Sequence, residues 1–106
     1  MNCKNVLFIC AAGITTGLIV RSVQKSIDEK EVPVHVYSAP SIVAQQIIND
    51  EKIDAVMIGP HIQHEVERLR ELLTFKKIPF KLINQDDYML LNGENILDDV
   101  IQLIAD

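Results

Sequence analysis

Cys10, Gly13, Thr15, Thr16 and Gly17 fall within the short stretch VLFICAAGITTGL, residues 6–18. A thiol that ends a strand and is followed by a loop and a helix N-terminus faces backbone N–H groups and the positive end of a helix dipole. Those groups stabilise a thiolate, and they equally stabilise a bound phosphate. Gly13 and Gly17 allow the backbone to turn and approach an anion closely, while Thr15 and Thr16 supply hydroxyl donors or a helix cap. Cys10 is therefore the candidate nucleophile, and Ala11, Ala12, Gly13, Ile14, Thr15, Thr16 and Gly17 form the candidate phosphate-binding loop. The alternative is a buried structural cysteine before a glycine-containing turn, because free cysteine is among the most buried residue types. Position favours the first reading, since no large side chain between Ala11 and Gly13 stands ready to cover the sulfur.

The elements that must position this loop follow from periodicity. NVLFI, residues 5–9, is an apolar run of the kind a strand buried on both faces carries. From Gly17 to about Lys30 the period becomes helical, with Ile19, Val20, Val23 and Ile27 on one face and Arg21, Lys25 and Glu29 on the other. VPVHVYS, 32–38, predicts a second strand with Pro33 at its start, and a helix follows from Pro40–Ser41 to about Asp50. DAVMIG, 54–59, predicts a third strand closed by Gly59–Pro60, and Ile62, Val66, Leu69 and Leu73 mark the next helix. IPFKLIN, 78–84, predicts a fourth strand. A loop with Tyr88 and Met89 then leads to a last helix over about 93–104.

Four strand–helix units in alternation predict an α/β fold. The expectation is an open four-stranded parallel sheet of flavodoxin-like order 2-1-3-4 with helices on both faces. Residues 1–106 are expected to form one domain. In such sheets ligands bind beyond the carboxyl ends of the strands at the point where the strand order reverses. That point lies between strands one and three, where Cys10 and Gly59 stand.

Two familiar phosphate loops do not match. The nucleotide-binding loop needs Lys followed by Ser or Thr after its final Gly, whereas Leu18 follows Gly17; the dinucleotide fingerprint needs a third glycine. Cysteine phosphatases also place Cys at the head of a phosphate loop, but they close it with an arginine six positions on, and Thr16 stands there. Without an arginine clamp to stabilise the transition state of hydrolysis, such a loop suits holding a phosphocysteine and handing the group on. A low-molecular-weight phosphatase or arsenate reductase remains one alternative, and a non-catalytic anion-sensing module another.

FICAAGITTGLIV, with Cys10, Gly13 and the Thr15–Thr16 pair, resembles the active-site loop of the IIB proteins of the lactose and cellobiose type in the bacterial sugar phosphotransferase system. DAVMIGP, 54–60, resembles that family's third strand and its Gly–Pro exit, and DDYMLLNGENIL, 86–97, resembles its loop into the final helix. The resemblance implies a phosphoryl carrier in which Cys10 accepts phosphate from a phosphohistidine of a IIA partner. It further implies transfer to a sugar, a β-linked disaccharide or oligosaccharide, bound by the membrane IIC component. Ala11 departs from the hydroxyl or amide residue frequent at that position, which affects tuning rather than chemistry and leaves the sugar unassigned.

Composition narrows the classes. The chain has 106 residues, is 48% hydrophobic and 24% charged, and carries a net charge of −5, which argues against nucleic-acid binding. Lys76, Lys77 and Lys81 make only a small basic cluster. No apolar run is long enough for a bilayer and residues 1–5 begin neither a signal peptide nor an anchor, so no membrane insertion and a cytoplasmic location are expected. Cys3 and Cys10 lie at opposite ends of one extended strand, beyond disulfide reach. No cofactor and no metal are expected: His61, His64 and Glu65 cluster near one helix start without a full ligand set, and His35 suits a half-exposed edge strand. The acidic pairs Asp28–Glu29, Asp86–Asp87 and Asp98–Asp99 read as solvated faces. Tyr88 and Met89 either touch a partner or plug the end of the core.

Overall fold

A computed structural model describes residues 3–10, 14–60, 62 and 66–105, the side chains of 14–16 excepted. Four strands, β1 (Lys4–Cys10), β2 (Val34–Pro40), β3 (Ala55–Ile58) and β4 (Phe80–Leu82), alternate with helices α1 (Ile14–Lys30), α2 (Ser41–Asp50) and α3 (Val66–Phe75). Two further helices, α4 (Gln85–Met89) and α5 (Gly93–Ile104), complete the chain. The strands form one sheet in the order β2-β1-β3-β4, and each neighbouring pair is parallel.

Side-chain alternation along β1 divides the core into two layers. Val6 and Phe8 point toward the face covered by Ile19, Val23 and Ile27 of α1 and Ile96, Leu97 and Val100 of α5. Leu7 and Ile9 point toward the opposite face, covered by Ala44 and Ile48 of α2 and Leu69 and Leu73 of α3. Because both sides of β1 are packed, its sequence is continuously apolar rather than alternating. The edge strand β2 is less completely covered, with Ala39 buried on one face and Val34 and Val36 on the other. Val34 and Val36 are buried, whereas His35 is exposed and lies 5.5 Å from the Tyr37 ring, centroid to centroid.

Burial holds the Tyr37 phenol above its ordinary 10.0, and the Glu51 carboxylate, by its charge and by a hydrogen bond, acts in the same direction. A group whose folded value is raised contributes stability that is complete below the unfolded value and is lost as pH climbs through the folded one. Stability should therefore fall as pH rises past the phenol's ordinary value, and Tyr37→Phe should flatten that alkaline decline. Urea midpoints measured on either side of 10.0 check this; an unchanged slope in the variant would count against it.

The element boundaries differ from the periodicity in physically informative places. The first helix starts at Ile14, not Gly17, because N–H groups in a first turn have no intrahelical partner and residues of low helix propensity cost little there. The second strand runs 34–40 rather than 32–38 and passes directly into α2. Pro40, at φ −68° and ψ 151°, serves both the last strand position and the first cap. The third helix is described from Val66, and the Ile62 N–H donates to Gly59 O at 3.3 Å. The fourth strand shrinks from 78–84 to Phe80–Leu82, paired with β3 alone.

The segment expected as a loop contains the short helix α4. The Asn84 side chain accepts from the Asp87 N–H at 3.1 Å to start it, and Asn92 caps α5 in the same way through the Asn95 N–H, also at 3.1 Å. Asn92→Ala should cost about 1 kcal/mol, measurable as a lower urea midpoint at unchanged slope.

Candidate active site

β1 ends at Cys10 and α1 begins at Ile14. Four Cα steps reach at most about 14 Å, which keeps the first turn of α1 close to the thiol. On one side of β1, Cys10 is in register with Pro40, the residue immediately before α2. On the other, the Gly59 N–H donates to the Ile9 carbonyl at 2.9 Å as the chain leaves β3. The sulfur thus stands at the carboxyl ends of three strands, at the switch point of the sheet.

Two helices start beside it, and their first turns are electrostatically distinctive. Neither α1 nor α2 has an acidic residue in its first turn. The other three helices do: Glu67 in α3, Asp86 and Asp87 in α4, and Glu94 in α5. The helices that start nearest Cys10 are therefore the two whose first turns carry no acidic residue, an arrangement that suits a bound anion.

Cys10 is more enclosed than the small residues after it led us to expect. It is 8% exposed, and its S–H donates to the Ala39 carbonyl at 3.8 Å. Its partners in the sheet contribute to that enclosure: β2 runs alongside as far as Pro40, and Gly59 approaches on the other flank. Sequence reasoning had no signal for Ala39, since any residue supplies a carbonyl. Both cysteines are free thiols, Cys3 exposed and Cys10 buried.

Of the expected loop, Ala11, Ala12 and Gly13 lie outside the described residues, as do His61, His64 and Glu65. Ile14, Thr15 and Thr16 belong to the first turn of α1 by their backbone, and Gly17 follows in the same helix, exposed. Arg21 is exposed on α1. Among the described residues no three His, Cys, Asp or Glu side chains come together to hold a metal ion, and no helix is long and apolar enough to cross a membrane. Tyr88 is 7% exposed and plugs the end of the core, while Met89 beside it is 67% exposed. Asp28, Glu29, Asp86 and Asp98 are exposed, as a solvated face requires, and Asp99 pairs with Lys81 at 3.0 Å.

Residues 5–99 match the family model for the lactose/cellobiose-specific IIB subunit of the phosphotransferase system. The chain belongs to this family. It is 22% identical over 97 residues to the galactose-specific EIIB component of Lactococcus lactis subsp. cremoris, covering 89% of this chain and 90% of that one. It is 21% identical over 97 residues to the cellobiose-specific EIIB component of Lactococcus lactis subsp. lactis, with the same coverage. The fold superimposes with a TM-score of 0.84 on the lactose-specific IIB domain of Streptococcus pneumoniae, at 16% identity and with 96% and 98% of the two chains covered. It superimposes with a TM-score of 0.80 on the solution structure of the cellobiose-specific IIB protein of Borrelia burgdorferi, at 26% identity and 98% and 94% coverage. This IIB chain is thus of the phosphotransferase kind, a component of sugar transport.

Proposed function

We propose that this IIB chain is a phosphoryl carrier with Cys10 as its acceptor. The Cys10 thiolate attacks the phosphorus of a phosphohistidine on a IIA partner; an S–P bond forms, the N–P bond breaks and the imidazole leaves. In the second step a hydroxyl of a sugar held by the membrane IIC component attacks the same phosphorus. The S–P bond then breaks, the thiolate is regenerated and the hydroxyl proton is lost to solvent. The observation that carries the reading is the placement of Cys10 beside two helix N-termini free of acidic residues in their first turns. The backbone of Ala11, Ala12, Gly13, Ile14, Thr15, Thr16 and Gly17 would cradle the phosphate, which an arginine-free loop holds without promoting attack by water.

The sugar we infer is a β-linked disaccharide or oligosaccharide. Relatives named for cellobiose and lactose, both β-linked disaccharides, support this class, while another is named for the monosaccharide galactose; the individual sugar is set by the IIC component. The protein acts in the cytoplasm, with residues 1–106 as a single phosphocarrier domain and no cofactor, metal or nucleic acid. Incubation with phosphoenolpyruvate, the general phosphocarriers and a IIA protein should add one phosphoryl group, recovered on the peptide that contains Cys10. Label on a histidine, or turnover of an aryl phosphate without the upstream carriers, would overturn the reading; the second result would favour the phosphatase alternative. Reversible phosphate binding with an unreactive thiol would instead identify an anion-sensing module.

A further inference from the structure

The carboxyl ends of β1 and β3 are where the sheet's own hydrogen bonds stop. The last bond recorded between them runs from the Gly59 N–H to the Ile9 carbonyl, one residue before Cys10. A side chain built on Gly59 would start 3.3 Å from that carbonyl, 4.0 Å from the Cys10 Cα and 3.9 Å from Cε2 of Tyr88. The Tyr88 ring therefore lies at about van der Waals distance from the place where both strands end.

Tyr88 is brought there by α4, a helix of five residues whose backbone is tied down at both ends. Its N–H donates to the Asn84 carbonyl at 2.9 Å, and the Asn92 N–H returns to Asp87 O at 2.8 Å. The intervening Leu91 takes φ 53°, the left-handed conformation that closes a helix in this way. The Ser22 hydroxyl of α1 then donates to the Leu91 carbonyl at 2.8 Å. One short segment thus joins two of the elements that converge on Cys10: its ring abuts the β1–β3 exit and its terminal turn is bonded to α1.

We propose that Tyr88 is a positioning residue for phosphoryl transfer, its ring bracing the β1–β3 exit so that Cys10 is held in the direction from which the thiolate meets phosphorus. The inference rests on Cys10 being the phosphoryl acceptor. It assigns the effect to the ring, because the ring is what reaches Gly59.

Three variants of the full chain test it. Tyr88→Leu should slow single-turnover transfer from the phosphorylated IIA protein roughly tenfold to a hundredfold, as small misplacements of a reacting group do, with KM for the donor within about twofold. Tyr88→Phe should stay within about threefold of the parent. Val100→Ala removes buried side chain from the same core layer but on α5, and should leave transfer unchanged despite lower stability. Parent-like transfer by Tyr88→Leu would overturn the proposal, and so would a Phe variant as slow as Leu or a Val100 variant as slow as either.

A second measurement does not depend on phosphate. Amide hydrogen exchange at Gly59 should accelerate at least about tenfold in Tyr88→Leu relative to exchange at Asp54. The Asp54 N–H donates to Asn5 O at the opposite end of β1, and the same ratio should not move in Val100→Ala. If no phosphate reaches Cys10 at all, the transfer reading falls, and the exchange ratio still decides whether Tyr88 braces the exit. An unchanged ratio in Tyr88→Leu refutes the brace.

Discussion

Cys10→Ser should fold with stability within about 1 kcal/mol of the parent and lose phosphoryl acceptance by about a thousandfold or more. The two halves of this expectation have separate causes. Structurally the site asks for a small side chain with one hydrogen to donate to Ala39 O, since Cys10 sits between Pro40 on one strand and Gly59 on the other. A serine hydroxyl meets that demand in slightly less space. Chemically the two differ sharply, because sulfur is intrinsically a far better nucleophile than a hydroxyl oxygen, which needs a base to activate it. The measurement pairs a thermal unfolding curve with phosphate incorporation from phosphoenolpyruvate through the upstream carriers. Incorporation that survives the substitution would move the acceptor to another residue, and a collapsed fold would mean that the sulfur is needed for packing.

Gly93→Ala should be the most damaging single methyl addition among the described glycines. A Cβ at Gly93 would lie 2.5 Å from both the carbonyl carbon and the hydroxyl oxygen of Ser22, and would also overlap the Ser22 carbonyl oxygen. Two of those atoms are backbone of α1 and cannot swing aside, so the first turn of α5 must move away from α1. Overpacking of this kind costs about 2–3 kcal/mol, which for a domain of this size lowers Tm by roughly 10–20 °C. The Ser22 hydroxyl would also be pushed from its bond to Leu91 O, loosening the turn that follows α4. Gly17 is the contrast, since a Cβ there meets nothing within 4 Å. Gly17→Ala should stabilise α1 by about 0.5–1 kcal/mol. Equal Tm values for the two alanine variants would contradict the close approach of α1 and α5.

The strand order and the two-layer core were legible because they rest on patterns written locally. NVLFI can be continuously apolar only if both of its faces are covered, and strand–helix alternation with right-handed crossovers leaves few ways to cover them. The position of Cys10 was legible for the same reason: it ends the first strand, shortly before a helix start. Thr16 stands where a cysteine-phosphatase loop carries arginine, and the proposed carrier reading draws on that difference.

Other features were not readable from the chain. The surroundings of Cys10 include Ala39, Pro40 and Gly59, which are distant in sequence and lie beside it only because β2 and β3 flank β1. Helix α4 escaped notice because five residues are too few for a period, and its caps, Asn84 and Asn92, suit a turn equally well. For that reason Tyr88 looked like either a surface aromatic or a plug, and burial at the end of the core decides for the plug. The sequence alone thus specified the order of the elements and the place of Cys10 at the end of the first strand, since strand end and helix start are neighbours along the chain. How closely the thiol is held was settled by folding, because its neighbours come from two other segments, the end of β2 and the residue after β3, and no local pattern encodes a contact between strands.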